Sequence, residues 1–232
     1  MPTAGIDGPS AVSRARARRL AGLYAVTPDL ADTRDLVARV TAALEGGACA
    51  IQYRNKAADP ALKLAQAAAL AHVHASRGGL YIVNDDAALA VAVDADGVHV
   101  GADDGSIAAA RERVGPDRIV GVSCYDDFAR AQAAVAAGAD YVAFGSFFAS
   151  TTKPGARRAD IGLLRRAKAL GVPIVAIGGI NADNASELAH AGADAVAVIS
   201  AAFDAPDVNV AARAIVRLFD RPAGPPGAAP AP

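Results

Sequence analysis

"IVAIGGINADNASELAHAGADAVAVIS", residues 174–200, contains two short apolar runs joined by a more polar segment. The runs at 174–179 and 195–200 are shorter than typical helices and rich in β-branched residues, so they are predicted to be strands. The segment between them ends in Gly192 and Ala193, which is typical of a left-handed helix cap just before a strand. This stretch therefore predicts one strand, one helix and the next strand.

The same pattern recurs along the chain. Six further strand candidates precede residue 174, at 22–27, 49–54, 80–84, 97–101, 119–124 and 141–147. Runs that are apolar at successive positions are expected to be buried on both faces, as in a parallel sheet. Eight such units without a break in composition predict the α/β class and a single closed (β/α)8 barrel, the TIM barrel. A doubly wound open sheet is the alternative, because one sequence does not reveal the strand order.

These units define the expected domains. Residues 21–220 are predicted to form the barrel, which is the catalytic domain. Residues 1–20, with the basic stretch SRARARRL at 13–20, are expected to be an N-terminal extension that is helical or frayed. After its first residue the segment 221–232 contains only Pro, Gly and Ala, so a disordered tail is expected.

Composition limits the classes of partner. The chain has 23 Lys and Arg against 24 Asp and Glu, a formal net charge of −1, which gives no reason to expect nucleic acid. No apolar run reaches the roughly 18 residues of a membrane span, and no apolar signal core follows the basic stretch. Cys49 and Cys124 lie far apart in apolar runs, so free buried thiols and a cytoplasmic location are expected. The oligomeric state is left open.

The active sites of such barrels are built at the carboxyl ends of the strands. The second strand ends in IQYRNK, so Gln52, Arg54 and Lys56 alternate and point to one side of an extended chain. Two cations and an amide at a barrel mouth are costly unless an anion is bound there. The planar fork of Arg and the point charge of Lys suit a diphosphate. Surface salt bridges are the alternative.

Acidic residues follow the third and fourth strands, which end in VNDD and VGADD. Carboxylates near cations indicate a divalent ion, and Mg²⁺ typically takes one or two carboxylates together with phosphate oxygens and water. Some of these residues could instead cap the helices that follow them. The set consists of Asn84, Asp85, Asp86, Asp103 and Asp104.

The remaining strand ends carry weaker signals. Ser123 follows the fifth strand, Gly178 and Gly179 follow the seventh, and Ser200 follows the eighth. The two glycines would let backbone N–H groups approach a ligand, and loops after strands seven and eight often bind phosphate. A structural role is expected for His99. The polar loop FASTTKPGARRAD, residues 148–160, follows the sixth strand.

Taken together, these strand ends resemble the thiamine-phosphate synthase family from about residue 22 to residue 203. The motifs that carry the resemblance, in chain order, are IQYRNK, VNDDAALA, ADGVHVGADD, TKPGA and AIGGI. The sequence departs from the family pattern at Ala102, where Gln is usual, and at Ala149 and Ser150, where Pro and Thr are usual.

The resemblance implies a transferase that couples 4-amino-5-hydroxymethyl-2-methylpyrimidine diphosphate with a thiazole phosphate by a dissociative, Mg²⁺-assisted substitution. It implies that the pyrimidine diphosphate is bound by Gln52, Tyr53, Arg54, Asn55, Lys56, Asn84 and Lys153, with Ser123 in the pyrimidine pocket. It places Mg²⁺ on Asp85 and Asp104, and the thiazole phosphate on Ser150, Thr151, Thr152, Gly179, Ile199 and Ser200. The expected catalytic residues are Arg54, Lys56, Lys153 and Ser123.

Two other functions remain open. A thiazole tautomerase of the same barrel family would need neither diphosphate nor metal, and the intact basic and acidic motifs disfavour it. A non-catalytic barrel that binds a phosphate ligand and has a regulatory role is the second, because every motif found is a binding motif.

Overall fold

The computed structural model describes residues 8–101, 107–149 and 158–219. Eight parallel strands in these ranges pair in sequential order and close through a β1–β8 pairing. The closed order confirms the predicted barrel over the open sheet. The strands are β1 (Gly22–Val26), β2 (Ala50–Tyr53), β3 (Leu80–Asn84), β4 (Gly97–Val100), β5 (Ile119–Tyr125), β6 (Tyr141–Phe144), β7 (Ile174–Ile177) and β8 (Ala195–Val198).

Helices alternate with these strands, and a short 3₁₀ turn, Lys168–Leu170, follows α7. The helices are α1 (Ala11–Ala17), α2 (Thr33–Glu45), α3 (Pro60–Arg77), α4 (Ala87–Ala92), α5 (Ile107–Val114), α6 (Phe128–Ala136), α7 (Gly162–Ala167), α8 (Ala185–Ala191), α9 (Ser200–Phe203) and α10 (Val208–Val216). No helix in the described part of the chain is both long and apolar enough to cross a bilayer.

The helix ends follow the sequence signals. Asp32, Asp59 and Asp127 begin α2, α3 and α6 with side chains that accept hydrogen bonds from first-turn amides. The predicted left-handed caps before β6, β7 and β8 are confirmed, because Gly138, Gly171 and Gly192 all have positive φ.

Two apolar layers make up the core. Outward-facing strand side chains pack against the helices, and inward-facing ones such as Ile82, Ile119 and Val175 fill the barrel. Almost every strand residue is buried, which confirms the expectation of strands buried on both faces. Two tyrosines, Tyr24 and Tyr141, also lie inside the barrel and are almost completely buried.

Gly121 on β5 makes room for one of these tyrosines. A Cβ atom at residue 121 would overlap the ring of Tyr141 on the neighbouring strand β6. The absence of a side chain at Gly121 therefore allows Tyr141 to lie across the barrel.

The amino ends of the strands are closed by α1. Ser13 of this helix donates a hydrogen bond to Asp140 (2.8 Å), which also forms a buried ion pair with Arg111 of α5. Leu20, just after the helix, packs into the barrel interior. The basic N-terminal stretch therefore includes residues that pack against the barrel.

The sixth strand is shorter than the predicted run 141–147. It ends at Phe144, after which the backbone follows the end of β7: Phe147 N donates to Ile177 O (3.3 Å) and Phe148 N to Gly178 O (3.0 Å). The apolar character of residues 145–148 thus reflects packing of the loop after β6 against the loop after β7.

Candidate active site

A cavity of about 260 Å³ lies at the carboxyl ends of β2 and β3. Three cationic side chains line it, from Arg54, Lys56 and Lys63, and opposite them lie the polar groups of Asn84 and Asp85. The motifs IQYRNK and VND, which are about 30 residues apart in the chain, therefore face one another across this space. Such a cavity suits a small anionic ligand and a divalent cation.

The loop after β2 is held in place by the loop after β1. Arg54 N donates to Thr27 Oγ1 and Thr27 Oγ1 donates to Arg54 O, both at 2.8 Å. Asp29 Oδ1 accepts from the Arg54 guanidinium at 3.1 Å and from Lys56 N at 2.9 Å. The backbone that carries both cations is therefore fixed before any ligand binds.

Tyr53 and Asn55 use their side chains within the protein. Tyr53 Oη donates to Gln66 Oε1 (3.0 Å), and Asn55 Nδ2 donates to the same oxygen (3.0 Å) and to Leu30 O (2.8 Å). Asn55 Oδ1 accepts from the amides of Ala57 and Ala58. Burial raises the pKa of Tyr53 to about 12, so its hydroxyl remains a donor. Both residues line the cavity, and their contact with substrate stays a prediction.

The end of β3 has an unusual backbone. Asp85 has a φ of 63°, in the left-handed region, and its amide donates to His99 O (2.8 Å). Asn84 Nδ2 donates to Asp85 Oδ2 (2.6 Å), which orients the carboxylate. A non-glycine residue in this conformation is uncommon and is often found at functional sites.

Asp86 has a different role. Its Oδ1 accepts from Leu89 N (2.8 Å) at the start of α4, which confirms the alternative that it caps the helix. Asp85, the other carboxylate of this pair, lines the cavity beside Asn84.

Of the two predicted Mg²⁺ ligands, Asp85 lines the cavity and Asp104 lies outside the described residues. Across residues 8–101, 107–149 and 158–219, no three His, Cys, Asp or Glu side chains converge on one point. A single half-buried carboxylate beside a cationic cavity fits Mg²⁺, since this ion commonly takes most of its ligands from phosphate and water.

A chain of hydrogen bonds crosses the barrel interior below this cavity. Gln52 Nε2 donates to Tyr24 Oη (2.9 Å), and Tyr24 Oη lies 2.8 Å from Tyr141 Oη. His99 Nδ1 lies 2.8 Å from Tyr141 Oη, and His99 Nε2 lies 2.8 Å from Ser123 Oγ. The two residues predicted to bind the pyrimidine, Gln52 and Ser123, are therefore the two ends of one network.

The glycines after β7 make room for the loop after β6. A Cβ atom at Gly178 would overlap Ser146, and one at Gly179 would overlap Ala149 O. Gly178 and Gly179 were expected from the sequence to let backbone N–H groups approach a ligand. In this structure the close approach at both positions is made by the neighbouring loop.

The rest of the predicted phosphate site is described only in part. Ser200 is exposed at the first residue of α9, directly after Ile199. Four residues of the loop after β6 lie outside the described residues: Ser150, Thr151, Thr152 and Lys153.

Sequence reasoning missed three residues that shape this site. Asp29 follows the first strand, at the same end of the barrel as the other loops, so its position was a usable signal. Lys63 and Gln66 are three residues apart in a helical pattern and so lie on one face of α3. Only strand ends were considered as sources of site residues, although α3 supplies the cation of Lys63 to the cavity and the amide of Gln66 to the loop after β2.

Comparison with known proteins agrees with this geometry. Residues 23–202 match the profile of the family described as "Thiamine monophosphate synthase". The chain belongs to this family. The thiamine monophosphate synthase family match spans the whole barrel from β1 to the start of α9, including both sides of the cavity.

Curated relatives in the family are similar over nearly their full length. The thiamine-phosphate synthase of Chromobacterium violaceum is 55% identical over 201 residues, which is 87% of this chain and 97% of that protein. The thiamine-phosphate synthase of Methylobacillus flagellatus is 54% identical over 199 residues, 86% of this chain and 95% of that protein. A solved thiamine phosphate pyrophosphorylase from Pyrococcus furiosus is 38% identical, with a TM-score of 0.78 over 88% of this chain and 97% of its own.

Proposed function

We propose that this chain is a thiamine-phosphate synthase that couples 4-amino-5-hydroxymethyl-2-methylpyrimidine diphosphate with 4-methyl-5-(2-phosphooxyethyl)thiazole. The products are thiamine phosphate and diphosphate. Family membership and the identity to named synthases over nearly their whole length support the activity. The structural observation that carries the choice of substrate is the cavity lined by Arg54, Lys56 and Lys63 opposite Asp85.

The cations act on the leaving group. The bond between the pyrimidine methylene carbon and the diphosphate oxygen breaks, and its electron pair leaves with the diphosphate. Charge therefore develops on oxygens beside Arg54 and Lys56, whose backbone is already held by Thr27 and Asp29. Preorganised donors aimed at developing charge are an effective form of catalysis, because they need no rearrangement during the reaction.

The second half of the reaction needs no base. The lone pair of the thiazole nitrogen forms the new C–N bond to the methylene carbon, and the product is a thiazolium with no proton to remove. We propose that the thiazole phosphate binds near Gly179, Ile199 and Ser200, and that Ser150, Thr151 and Thr152 complete this site. Lys153 would instead reach the diphosphate of the pyrimidine substrate.

Asp85 and Asp104 would hold Mg²⁺. When bound there, the ion would supply positive charge to the diphosphate oxygens. Asn84 orients the Asp85 carboxylate through its 2.6 Å hydrogen bond, so this side chain is prepared to accept the cation.

A cytoplasmic location belongs to the same proposal. Both cysteines are free, as is usual in a reducing compartment. The thiazole tautomerase alternative is disfavoured, because that reaction gives no role to three cations around one cavity.

Incubation of the purified protein with both phosphorylated halves, with and without Mg²⁺, tests the proposal. We expect thiamine phosphate and diphosphate in equal amounts, only when both substrates and the metal are present. Release of diphosphate is measured separately from thiamine phosphate, because uncoupled hydrolysis would yield diphosphate alone. Absence of Mg²⁺-dependent coupling would refute the synthase assignment, and isomerisation of a thiazole substrate would favour the tautomerase.

A further inference from the structure

The hydrogen-bond chain from Gln52 to Ser123 is buried along its length. Tyr24 and Tyr141 are at most 1% exposed, Gln52 and His99 are 6% and 7% exposed, and Ser123 at the end of the chain is half-buried. A buried polar group without a partner is costly, so each hydrogen of these linked groups is expected to find an acceptor. This requirement sets the direction in which the hydrogen bonds run.

The direction can be followed from Gln52. Its amide nitrogen has only hydrogens to offer, so Tyr24 Oη accepts from it. Burial raises the pKa of both tyrosines, which therefore keep their hydrogens. Within the described part of the chain, the acceptor within reach of the Tyr24 hydroxyl hydrogen is Tyr141 Oη. Tyr141 must then donate to His99 Nδ1.

This order fixes the form of the histidine. A neutral imidazole that accepts at Nδ1 carries its hydrogen on Nε2, and Nε2 lies 2.8 Å from Ser123 Oγ. The serine oxygen therefore accepts from His99. Its own hydrogen has no acceptor among the residues that the structure describes, and it is left for a ligand at the barrel mouth.

We propose that Tyr141 and His99 are positioning residues that present the Ser123 hydroxyl to the substrate ring as a hydrogen-bond donor. At the other end of this hydrogen-bond network, Gln52 Nε2 donates to Tyr24 Oη, and Gln52 Oε1 is the atom that can accept from the substrate. The acceptor Gln52 Oε1 and the donor Ser123 Oγ would suit a ring that carries an amino group, which donates, and a ring nitrogen, which accepts. The inference rests on the proposed function for the identity of that ring, the aminopyrimidine.

The tautomer of His99 is a test that does not depend on activity. Nitrogen-15 NMR of the imidazoles in the full-length protein is expected to place a hydrogen on His99 Nε2 and none on Nδ1. The spectrum of a His99→Gln variant assigns the signal among the four histidines. A hydrogen on Nδ1 would overturn the inference.

The second test measures binding of the pyrimidine diphosphate by calorimetry in the presence of Mg²⁺. Tyr141→Phe removes the hydroxyl that joins Tyr24 to His99 and is expected to weaken binding about tenfold, equivalent to one hydrogen bond. Tyr81→Phe is the matched control, because it removes an equally buried hydroxyl that donates to Ala67 O on the outer side of the barrel. We expect it to change the affinity less than about twofold.

A double-mutant cycle separates positioning from general loosening of the fold. In a Ser123→Ala background, Tyr141→Phe is expected to lose most of its effect on the affinity. An undiminished effect in that background, or an effect equal to that of Tyr81→Phe, would overturn the inference. Normal binding without thiamine phosphate formation would refute the proposed reaction alone, whereas failure to bind the pyrimidine diphosphate at all would refute both.

Discussion

Asp29 Oδ1 lies 3.1 Å from the guanidinium of Arg54, so a carboxylate from the loop after β1 holds a cation that faces the diphosphate cavity. The same oxygen accepts from the Lys56 amide at 2.9 Å. One side chain thereby holds the guanidinium of Arg54 and the backbone of Lys56 in the IQYRNK motif. This contact joins residues 25 positions apart and orders the motif before substrate arrives.

Asp29→Ala is expected to raise KM for the pyrimidine diphosphate by about tenfold to thirtyfold, because two hydrogen bonds of about 1 kcal/mol each are lost. KM for the thiazole phosphate should stay within about twofold, and steady-state kinetics with each substrate varied in turn measures both. Asp29→Asn keeps an acceptor oxygen and should have a smaller effect. Asp35→Ala, which breaks an exposed ion pair with Arg39, is the control. Equal changes in both KM values would contradict the assignment.

Lys63→Gln is expected to raise KM for the pyrimidine diphosphate about fivefold, since the cavity loses one of the three cations that the described residues place around it. Lys63→Arg should restore most of the affinity. The control is Lys168→Gln, which removes a lysine paired with Asp194 away from the cavity. If Lys63→Gln and Lys168→Gln give the same kinetic constants, Lys63 makes no contact with the substrate.

Gln66→Leu is expected to lower the free energy of unfolding by about 2–4 kcal/mol, because it leaves buried polar groups of Tyr53 and Asn55 without their acceptor. Gln66 is fully buried, so water cannot replace it without rearrangement. Urea unfolding followed by circular dichroism measures the change. Gln132→Leu, an exposed glutamine on α6, should change stability by less than about 0.5 kcal/mol. A matching loss in that control would indicate a general effect of the substitution.

His74 is expected to make the protein less stable in mild acid. Its ring is buried and stacks on Tyr81, with centroids 4.7 Å apart, and burial lowers its pKa. The unfolded chain therefore takes up a proton at about pH 6.5, before the folded protein does, and stability falls as the pH drops through this value. Above about pH 7.5 His74 is neutral in both states and has no effect.

His74→Phe keeps a ring on Tyr81 and should reduce the loss of stability between pH 7.5 and 5.5. Thermal unfolding at the two pH values measures this difference. The exposed His72 gives the control, and His72→Gln should leave the pH dependence unchanged. An unchanged pH dependence in His74→Phe would assign the acid sensitivity to other groups.

The barrel could be predicted because its signals are local. Each strand is a short apolar run, and residues such as Gly171 and Gly192 mark the helix ends whatever lies around them. The strand ends that face the cavity followed from the rule that barrel sites lie at the carboxyl end. The strand pattern alone therefore predicted that Arg54 and Asp85 would lie near each other at the carboxyl end of the barrel.

The finer features of the site could not be read in this way, because they depend on register and on helix rotation. The pairing of Asn84 with His99 in the β3–β4 register, not any motif, places the histidine ring level with the end of β3. Nothing in the sequence distinguishes Gln66 from other polar residues of α3. Its role depends on the packing of α3, which brings its side chain into hydrogen-bonding contact with Asn55. The positive φ of Asp85 likewise could not be predicted from the sequence VND.

The lack of a side chain at Gly121 has a consequence for how this sequence can change over time. Any side chain at that position would collide with the ring of Tyr141, so a mutation there is accepted only if Tyr141 is replaced by something smaller. Replacing Tyr141 would in turn interrupt the link between Tyr24 and His99. The two positions are thus expected to covary among descendants of this chain, and a glycine with no chemistry of its own should persist wherever the tyrosine does.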